Sequence, residues 1–445
     1  MVTAKNVPAG NASSSGQWDT KYEFRAVLLL TLAFGLVGLD RWILPPLFAA
    51  QMGKDLGLNP SDLGNLVGAL GIAWGVSAIF MGGLSDRIGR RKVLVPAVVL
   101  FSIMSLLSGA VTGLLSLMII RIMMGVAEGA VAPTGVATAV EASHPKRRGM
   151  NNGMFQCAFA LFGLAVAPIL ATQLLKVTTW HYVFMIVAIP GLIVAGFLWF
   201  VIREPLTIGA GVVGEKAPRA PLSSIFSHRN VPLAMIGLLC AMSGIFVISA
   251  MMPSYLTGDH SFLHLTPEQM GFVTSAIGFG GFLGQFGVPA LSDRFGRRLV
   301  SLISFAVAAV FLWLFLQTGA SNLPLLFCLL FVASLANFGA LALIAGPIAA
   351  EAAPLGLMSS VAGIVIGAGE IFGGGVAPVI AGNIAQTYGI QYTLFFAMGG
   401  QLLGIVLSLF FKETAPRLAK SSKTGEVSEL DQSEETHPAG VTRAD

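Results

Sequence analysis

The chain alternates long apolar runs with short polar breaks along its 445 residues. A helix needs about 20 mostly apolar residues to cross the hydrocarbon core of a bilayer. Twelve runs reach that length: 24–51, 63–84, 93–112, 114–140, 150–175, 182–202, 231–256, 270–290, 299–317, 323–350, 355–381 and 392–411. The longest break, 203–230, divides them six and six. This pattern predicts an all-α polytopic membrane protein of twelve transmembrane helices in two pseudo-symmetric six-helix bundles, 24–202 and 231–411. A polar N-terminal tail (1–23), a central loop (203–230) and a polar, disordered C-terminal tail (412–445) complete the expected organisation.

Composition supports this division and gives it an orientation. Only 11% of residues are charged and 55% are hydrophobic, against about 25% charged in a soluble chain. The net charge of +4 does not describe a nucleic-acid-binding face, because the basic residues fall in short clusters between spans. The clusters Arg87/Arg90/Arg91/Lys92, Lys146/Arg147/Arg148 and Arg294/Arg297/Arg298 share one side with both termini. Only Lys54 and Lys176 lie opposite. Cytoplasmic loops are rich in Lys and Arg, so both termini are expected in the cytoplasm of a plasma (bacterial inner) membrane. The Asn11-Ala12-Ser13 sequon is then on the wrong side for glycosylation. The residues before the first span lack the apolar core of a signal peptide. Cys157, Cys240 and Cys328 sit inside apolar runs with no metal-ligand or disulfide spacing, so no metal is expected.

The two halves echo each other. Gly82–Leu94, GGLSDRIGRRKVL, recurs as Pro289–Ser301, PALSDRFGRRLVS, each between the second and third span of its half. More weakly, Val166-Ala167-Pro168-Ile169-Leu170 recurs as Val376-Ala377-Pro378-Val379-Ile380. Duplicated units are the architecture of transporters whose halves rock about a central site. In the motif, Gly89 permits a tight turn, Asp86 can accept from backbone N–H groups at a helix N-terminus, and the arginines can face carboxylates or lipid headgroups. Topology alone does not require such spacing twice. The motif resembles the signature loop of the major facilitator superfamily. That resemblance implies alternating access, with Asp86, Arg87, Arg90 and Arg91 and their counterparts Asp293, Arg294 and Arg297 latching the cytoplasmic side of the outward-open state.

Charges inside spans carry the chemistry. Asp40 lies roughly 24 Å along its helix from Phe24 at 1.5 Å per residue, too deep to reach the interface. A charge at the bilayer centre costs about 2.5–3.5 kcal/mol on insertion scales, so Asp40 and Arg41 need partners. Adjacent helical residues diverge and cannot serve each other. The fourth span offers Arg121 and Glu128, two turns apart on one face. Arg121 beside Asp40 and Glu128 beside Arg41 is the preferred pairing, with the crossed pairing also open. Guanidinium stays charged and binds carboxylates through two parallel hydrogen bonds. A carboxyl withdrawn from water can take up a proton, and a nearby arginine opposes this. An anion:proton symporter needs this combination: Glu128 ionised competes for Arg41, and Glu128 protonated frees it. The bland alternative is a charge network that only pins the first and fourth spans together. The LDR of the first span and R-x-x-x-G-x-x-E-G of the fourth resemble the anion:cation symporter branch of the superfamily, with aromatic acid:proton symporters a neighbouring possibility. The resemblance makes Arg41 the substrate ligand, Glu128 and Asp40 the protonatable carboxylates, and Arg121 the residue that tunes them.

The second half holds Glu370 among glycines, where that branch leads one to expect a neutral polar residue. It is a second candidate proton site, a hydroxyl acceptor or a structural group. Gln156, Gln285 and Asn337 are candidate substrate contacts, although interhelical hydrogen bonding is the commoner use of such amides. Trp74 and Tyr255 are candidate cavity aromatics. The histidines His144, His181, His228, His260 and His264 fall in loops or at span ends, so no histidine relay is expected within the membrane. No nucleophile–base arrangement or P-loop appears. The expected function is therefore gradient-driven: uptake of a small organic carboxylate (a sugar, hydroxy or aromatic acid) with protons as coupling ion, without another cofactor, as a monomer in the lipid bilayer. A proton-coupled exporter is the alternative within transport. Against it, the fifth span keeps Pro168 but lacks the glycine frame G-x-x-x-G-P-x-x-G-G that such exporters carry. A non-transporting sensor is the alternative outside transport, and it would call for a larger soluble output region.

Overall fold

A computed structural model of the chain describes residues 18–204, 229–258, 261–352 and 358–414. The tails at 1–17 and 415–445, the central loop at 205–228 and the expected start of the eleventh span at 353–357 lie outside the described residues. Among the described residues, twelve helices are long and apolar enough to cross a membrane: α1 Thr20–Asp55, α2 Pro60–Ile88, α3 Arg90–Ser108, α4 Leu114–Ala142, α5 Arg148–Leu174, α6 Trp180–Val201, α7 Asn230–Leu256, α8 Pro267–Phe295, α9 Arg297–Leu316, α10 Leu323–Ile348, α11 Gly363–Tyr388 and α12 Gln391–Ser408. An even number of crossings puts residues 18 and 414 at one end, the terminal end. The opposite end is the far end.

Local chemistry explains why the helices overrun the apolar runs. Asn59 caps α2 and Thr266 caps α8. Each closes a reciprocal capping box, with Asp62 and Gln269 respectively, and each is followed by a proline whose missing N–H costs nothing there. At the terminal end the expected loop over Leu84–Arg91 is not a loop. α2 stays helical to Ile88, and the chain turns on Gly89 alone at φ 116°. Gly296 does the same in the repeat at φ 100°, a region open to glycine and strained for other residues.

Prolines shape the helices near the bundle interface. α1 bends at Ile43 and restarts with Pro45 and Pro46 in the first turn of the new segment, followed by a π-helical turn over Phe48–Met52. α5 and α11 carry π-helical stretches, Leu161–Val166 and Gly369–Val376, directly before Pro168 and Pro378. Proline cannot donate the i→i−4 hydrogen bond and pushes that carbonyl away; a wider turn absorbs the misfit. The weak sequence echo around VAP is thus a structural repeat that places Glu370 in an irregular turn.

The bundles meet at the far end, where small residues bring backbones together. A Cβ added at Gly64, Gly68 or Gly71 of α2 would meet the carbonyls of Pro378, Gly375 and Gly374 of α11. Gly271 and Gly278 of α8 lie as tightly against Pro168–Thr172 and Leu164–Ala165 of α5. Polar links add to this: the Ser61 hydroxyl donates to Asn383 Oδ1 at 3.0 Å, and Lys176 pairs with Glu268 at 3.6 Å. Toward the terminal end the backbones part, although the Phe286 ring of α8 is still 3.1 Å from a Cβ built at Gly153 of α5. Ile79 is 3.7 Å from a Cβ built at Gly367, and Gly83, Gly149, Gly287 and Gly363 have nothing within 4 Å of theirs. The molecule is closed at the far end and splayed at the terminal end. Gly71→Val is expected to hold the far end apart. A Ser61→Cys/Asn383→Cys pair should crosslink readily in the native background and several-fold less with Gly71→Val; unchanged crosslinking would show that this contact does not close the far end.

Candidate functional site

Asp40 and Arg41 of α1 and Arg121 and Glu128 of α4 come together at mid-depth, all four buried. Arg121 reaches Asp40, but through the backbone: its Nη1 donates to the Asp40 carbonyl at 3.3 Å. The Asp40 carboxylate instead accepts from Ser105 of α3 at 2.8 Å, a partner not anticipated from sequence. The Arg121 guanidinium also lies over the Phe184 ring at 5.5 Å. These contacts place Asp40 and Arg121 inside the N-terminal bundle, between α1, α3, α4 and α6.

Arg41 points the other way, toward the bundle interface. Its ion pair is with Glu370 of α11, at 3.5 Å between Nη2 and Oε2, while the expected neighbour Glu128 lies within its field without bonding it. The first and fourth spans supply matching charges within one half, so the sequence alone does not point across the interface. The far-end closure brings α11 against α2 and carries Glu370 across the interface. Arg41 is otherwise walled by rings. Its Cζ lies 4.6 Å from the centroid of Phe246, 5.6 Å from Trp42, 5.9 Å from Trp74 and 5.9 Å from Phe159, within cation–π range of each. No nitrogen of its guanidinium makes a hydrogen bond of good geometry among the described residues, nor do the indole nitrogens of Trp42 and Trp74. Glu128 is completely covered, and neither of its oxygens has a hydrogen-bond partner among the described residues. It lies in the field of Arg41, Asp40, Arg121 and Glu370 together. A buried, always-charged fork with uncommitted donors is suited to a carboxylate. Two carboxyl groups from opposite bundles stand ready to neutralise it.

The remaining candidates are spread along the molecule. Gln285 sits two turns beyond Gly278, on the α8 face that meets α5, and Gln156 sits one turn before Ala160 on the facing surface of α5. Gln156 is exposed and Gln285 half-buried, so both border the cleft that opens toward the terminal end. Asn337 is elsewhere. It stands at the same step from its helix start (Leu323) as Glu128 from Leu114, making it the C-terminal counterpart of Glu128. It crowds Gly244 together with the Gln401 amide and borders a cavity of about 10 Å³ inside the C-terminal bundle, room for one water. Tyr255 is fully buried near the far end of α7, stacked on Phe262 at 5.3 Å, outside the cage around Arg41.

The duplicated motif forms two matching clusters at the terminal end. Arg90 pairs with Asp86 at 2.5 Å and Glu141 at 2.8 Å and donates to Ser85. Arg297 pairs with Asp293 at 2.7 Å and Glu351 at 2.9 Å and donates to Ser292. Each cluster stays within its own bundle. Arg91 donates to the Trp199 carbonyl at 3.2 Å, and Arg87 and Arg294 are exposed. Glu413 accepts from the N–H groups of Arg297 and Arg298, satisfying the start of α9, while Glu204 reaches over Gly89 at the start of α3. Glu141 and Glu351 were missed, although the duplicated sequence around them, EASHP and EAAP, was available to find them. Removing Glu351 is expected to cost about 1–3 kcal/mol, because Arg297 is 6% exposed. Glu141→Ala should cost less, since Glu141 is 41% exposed and water screens it. Thermal unfolding of the two variants checks the order, and equal losses would contradict it.

The comparisons bear on what such a site belongs to. The family model described as Major Facilitator Superfamily matches residues 30–263 and 260–441. The chain belongs to the Major Facilitator Superfamily. It is therefore a multi-pass membrane transporter of the secondary class and not an enzyme. Solved structures share its fold: a bacterial homolog to the human lysosomal transporter Spinster, at TM-score 0.72 and 16% identity over 87% of this chain and 96% of that one, and a D-xylose-proton symporter, at TM-score 0.72 and 19% identity over 89% and 99%. Among relatives, a probable 4-methylmuconolactone transporter of Cupriavidus pinatubonensis is 29% identical over 78% of this chain and 82% of its own. A D-galactonate transporter of Escherichia coli is 25% identical over 80% and 88%. A 4-hydroxybenzoate transporter of Pseudomonas aeruginosa is 26% identical over 66% and 71%.

Proposed function

We propose that this facilitator carries a small organic carboxylate inward together with a proton, with Arg41 as the ligand of the carboxylate. The observation that carries the reading is that Arg41, buried at mid-depth between the bundles, has a carboxylate of the opposite bundle as its counter-ion and no other polar commitment. Relatives named for galactonate and 4-hydroxybenzoate transport support an anionic substrate. The Lys and Arg clusters support a cytoplasmic terminal end in a bacterial inner membrane, and on that reading the form described here is open inward.

The two glutamates divide the work. Glu128 shares the bundle of Arg41 and stays beside it however the bundles rock; Glu370 comes and goes with α11. With Glu128 protonated, Arg41 is free for the incoming anion, and proton and substrate cross together. After both leave, Glu370 neutralises Arg41 in the closed interface and lets the empty carrier return without a bare buried charge. Asp40 and Arg121, held by Ser105 and Phe184, set the field in which Glu128 titrates. The motif clusters at the terminal end latch that side when the bundles swing. Gln156 and Gln285 line the inner vestibule, and Trp74 walls the anion site. Asn337 and Tyr255 act in the C-terminal bundle rather than on the anion. The chain works as a monomer.

Counterflow of labelled carboxylates into proteoliposomes tests this reading. Exchange of at least one organic acid is expected, and its loss with Arg41→Ala; absence of exchange across a panel of carboxylates would sink it.

A further inference from the structure

Resting on the reading that Arg41 binds the substrate carboxylate, the structure narrows the substrate class. The C-terminal bundle contributes two groups to the surroundings of Arg41: the Glu370 carboxylate, 3.5 Å away, and the Phe246 ring, 4.6 Å from Cζ. These two groups are also neighbours. A point at the Cβ position of Gly374 is 2.8 Å from Glu370 Oε2 and 3.3 Å from Phe246 Cε1, so carboxylate and ring lie side by side against one guanidinium. When the bundles rock apart, Arg41 loses a carboxylate and an aromatic face together.

We propose that Glu370 and Phe246 form an internal mimic of the substrate, and that the substrate is a planar aromatic monocarboxylate that takes their place on Arg41. The walls that stay with Arg41 fit such a molecule. Trp42, Trp74 and Phe159 all belong to the N-terminal bundle and offer π faces. The uncommitted nitrogens of the guanidinium and of the two indoles are donors only, matched to carboxylate oxygens. A polyhydroxylated acid needs hydrogen-bond partners along its whole length, because buried hydroxyls left unpaired are costly. The amides that could serve it are absent from this cage: Asn337 and Gln401 face each other inside the C-terminal bundle, and Gln156 and Gln285 stand in the vestibule. Aromatic packing contributes about 0.5–1.5 kcal/mol beyond area burial, or roughly 2- to 13-fold in affinity.

The test compares benzoate, cyclohexanecarboxylate and gluconate on the purified full-length protein, by calorimetry and by inhibition of counterflow. All three carry one carboxylate; the first two are similar in size and differ in planarity and π character. Benzoate is expected to bind several-fold tighter than cyclohexanecarboxylate and far tighter than gluconate. Glu370→Gln should tighten benzoate further, because the internal competitor has lost its charge. Gluconate binding as well as benzoate, or cyclohexanecarboxylate matching it, would overturn the aromatic class while leaving carboxylate transport intact. Weaker benzoate binding by Glu370→Gln would overturn the mimic. Failure of all three acids to bind would overturn both this inference and the reading of Arg41.

Discussion

Arg41→Ala abolishes carboxylate binding and counterflow, with an expected loss of at least about 100-fold in affinity. A charge-assisted pair in a dry site is worth several kcal/mol when one partner is removed, and every 1.4 kcal/mol is tenfold. Arg41→Lys keeps the charge but loses the planar fork, so it should retain measurable binding, about tenfold weaker or worse. Removing Arg41 also leaves Glu370 and Glu128 without their cation, at a stability cost of about 3–5 kcal/mol for the broken pair. The double variant Arg41→Ala/Glu370→Ala separates the two effects: it should regain stability and remain unable to bind. Restored binding in the double variant would show that Arg41 only balances Glu370.

Glutamine at Glu128 or Glu370 gives the second large effect, and the two variants should differ. Glu128→Gln keeps exchange but loses accumulation driven by a pH gradient, because the group that carries the proton is gone. Glu370→Gln also keeps exchange, in which the carrier crosses loaded in both directions. Its net uptake falls, by an expected tenfold or more, because the empty carrier must return without the carboxylate that pairs with Arg41 across the closed interface. Linkage fixes the sign of the pH response. On the proposed mechanism the anion binds the form with Glu128 protonated, so binding takes up a proton and tightens as pH falls until the substrate itself is protonated. If Glu128→Gln still concentrates substrate, the coupling role passes to Glu370 or Asp40.

What the sequence revealed follows from which interactions are local. Twelve apolar runs and a duplicated motif are one-dimensional signals, and they led to the fold and to Gly89 as a turning point. Burial of Asp40, Arg41, Arg121 and Glu128 followed from the cost of charge in a membrane. Their partners did not. The hydroxyl of Ser105 looked like any small residue in a span, and Glu370 reaches Arg41 only because α2 and α11 approach along glycines. Contacts across a rocking interface depend on the conformation of the carrier, which periodicity does not encode. Asn337 shows the converse: its sequence suggests a substrate ligand, while its position as the counterpart of Glu128 puts it inside the C-terminal bundle near the Gln401 amide. At these matched positions the halves have diverged, with Glu128 in the first and Asn337 in the second, and on the proposed reading the N-terminal bundle recognises the anion while the C-terminal bundle supplies the counter-ion Glu370.

Accumulation of a labelled carboxylate in proteoliposomes under an imposed pH gradient, alkaline inside, tests the central claim most directly. The predicted result is concentration of the acid above its external level, collapsed by a protonophore and absent in Arg41→Ala. Accumulation only when the gradient is reversed, or no uphill movement for any carboxylate that exchanges, would contradict proton-coupled symport through this site.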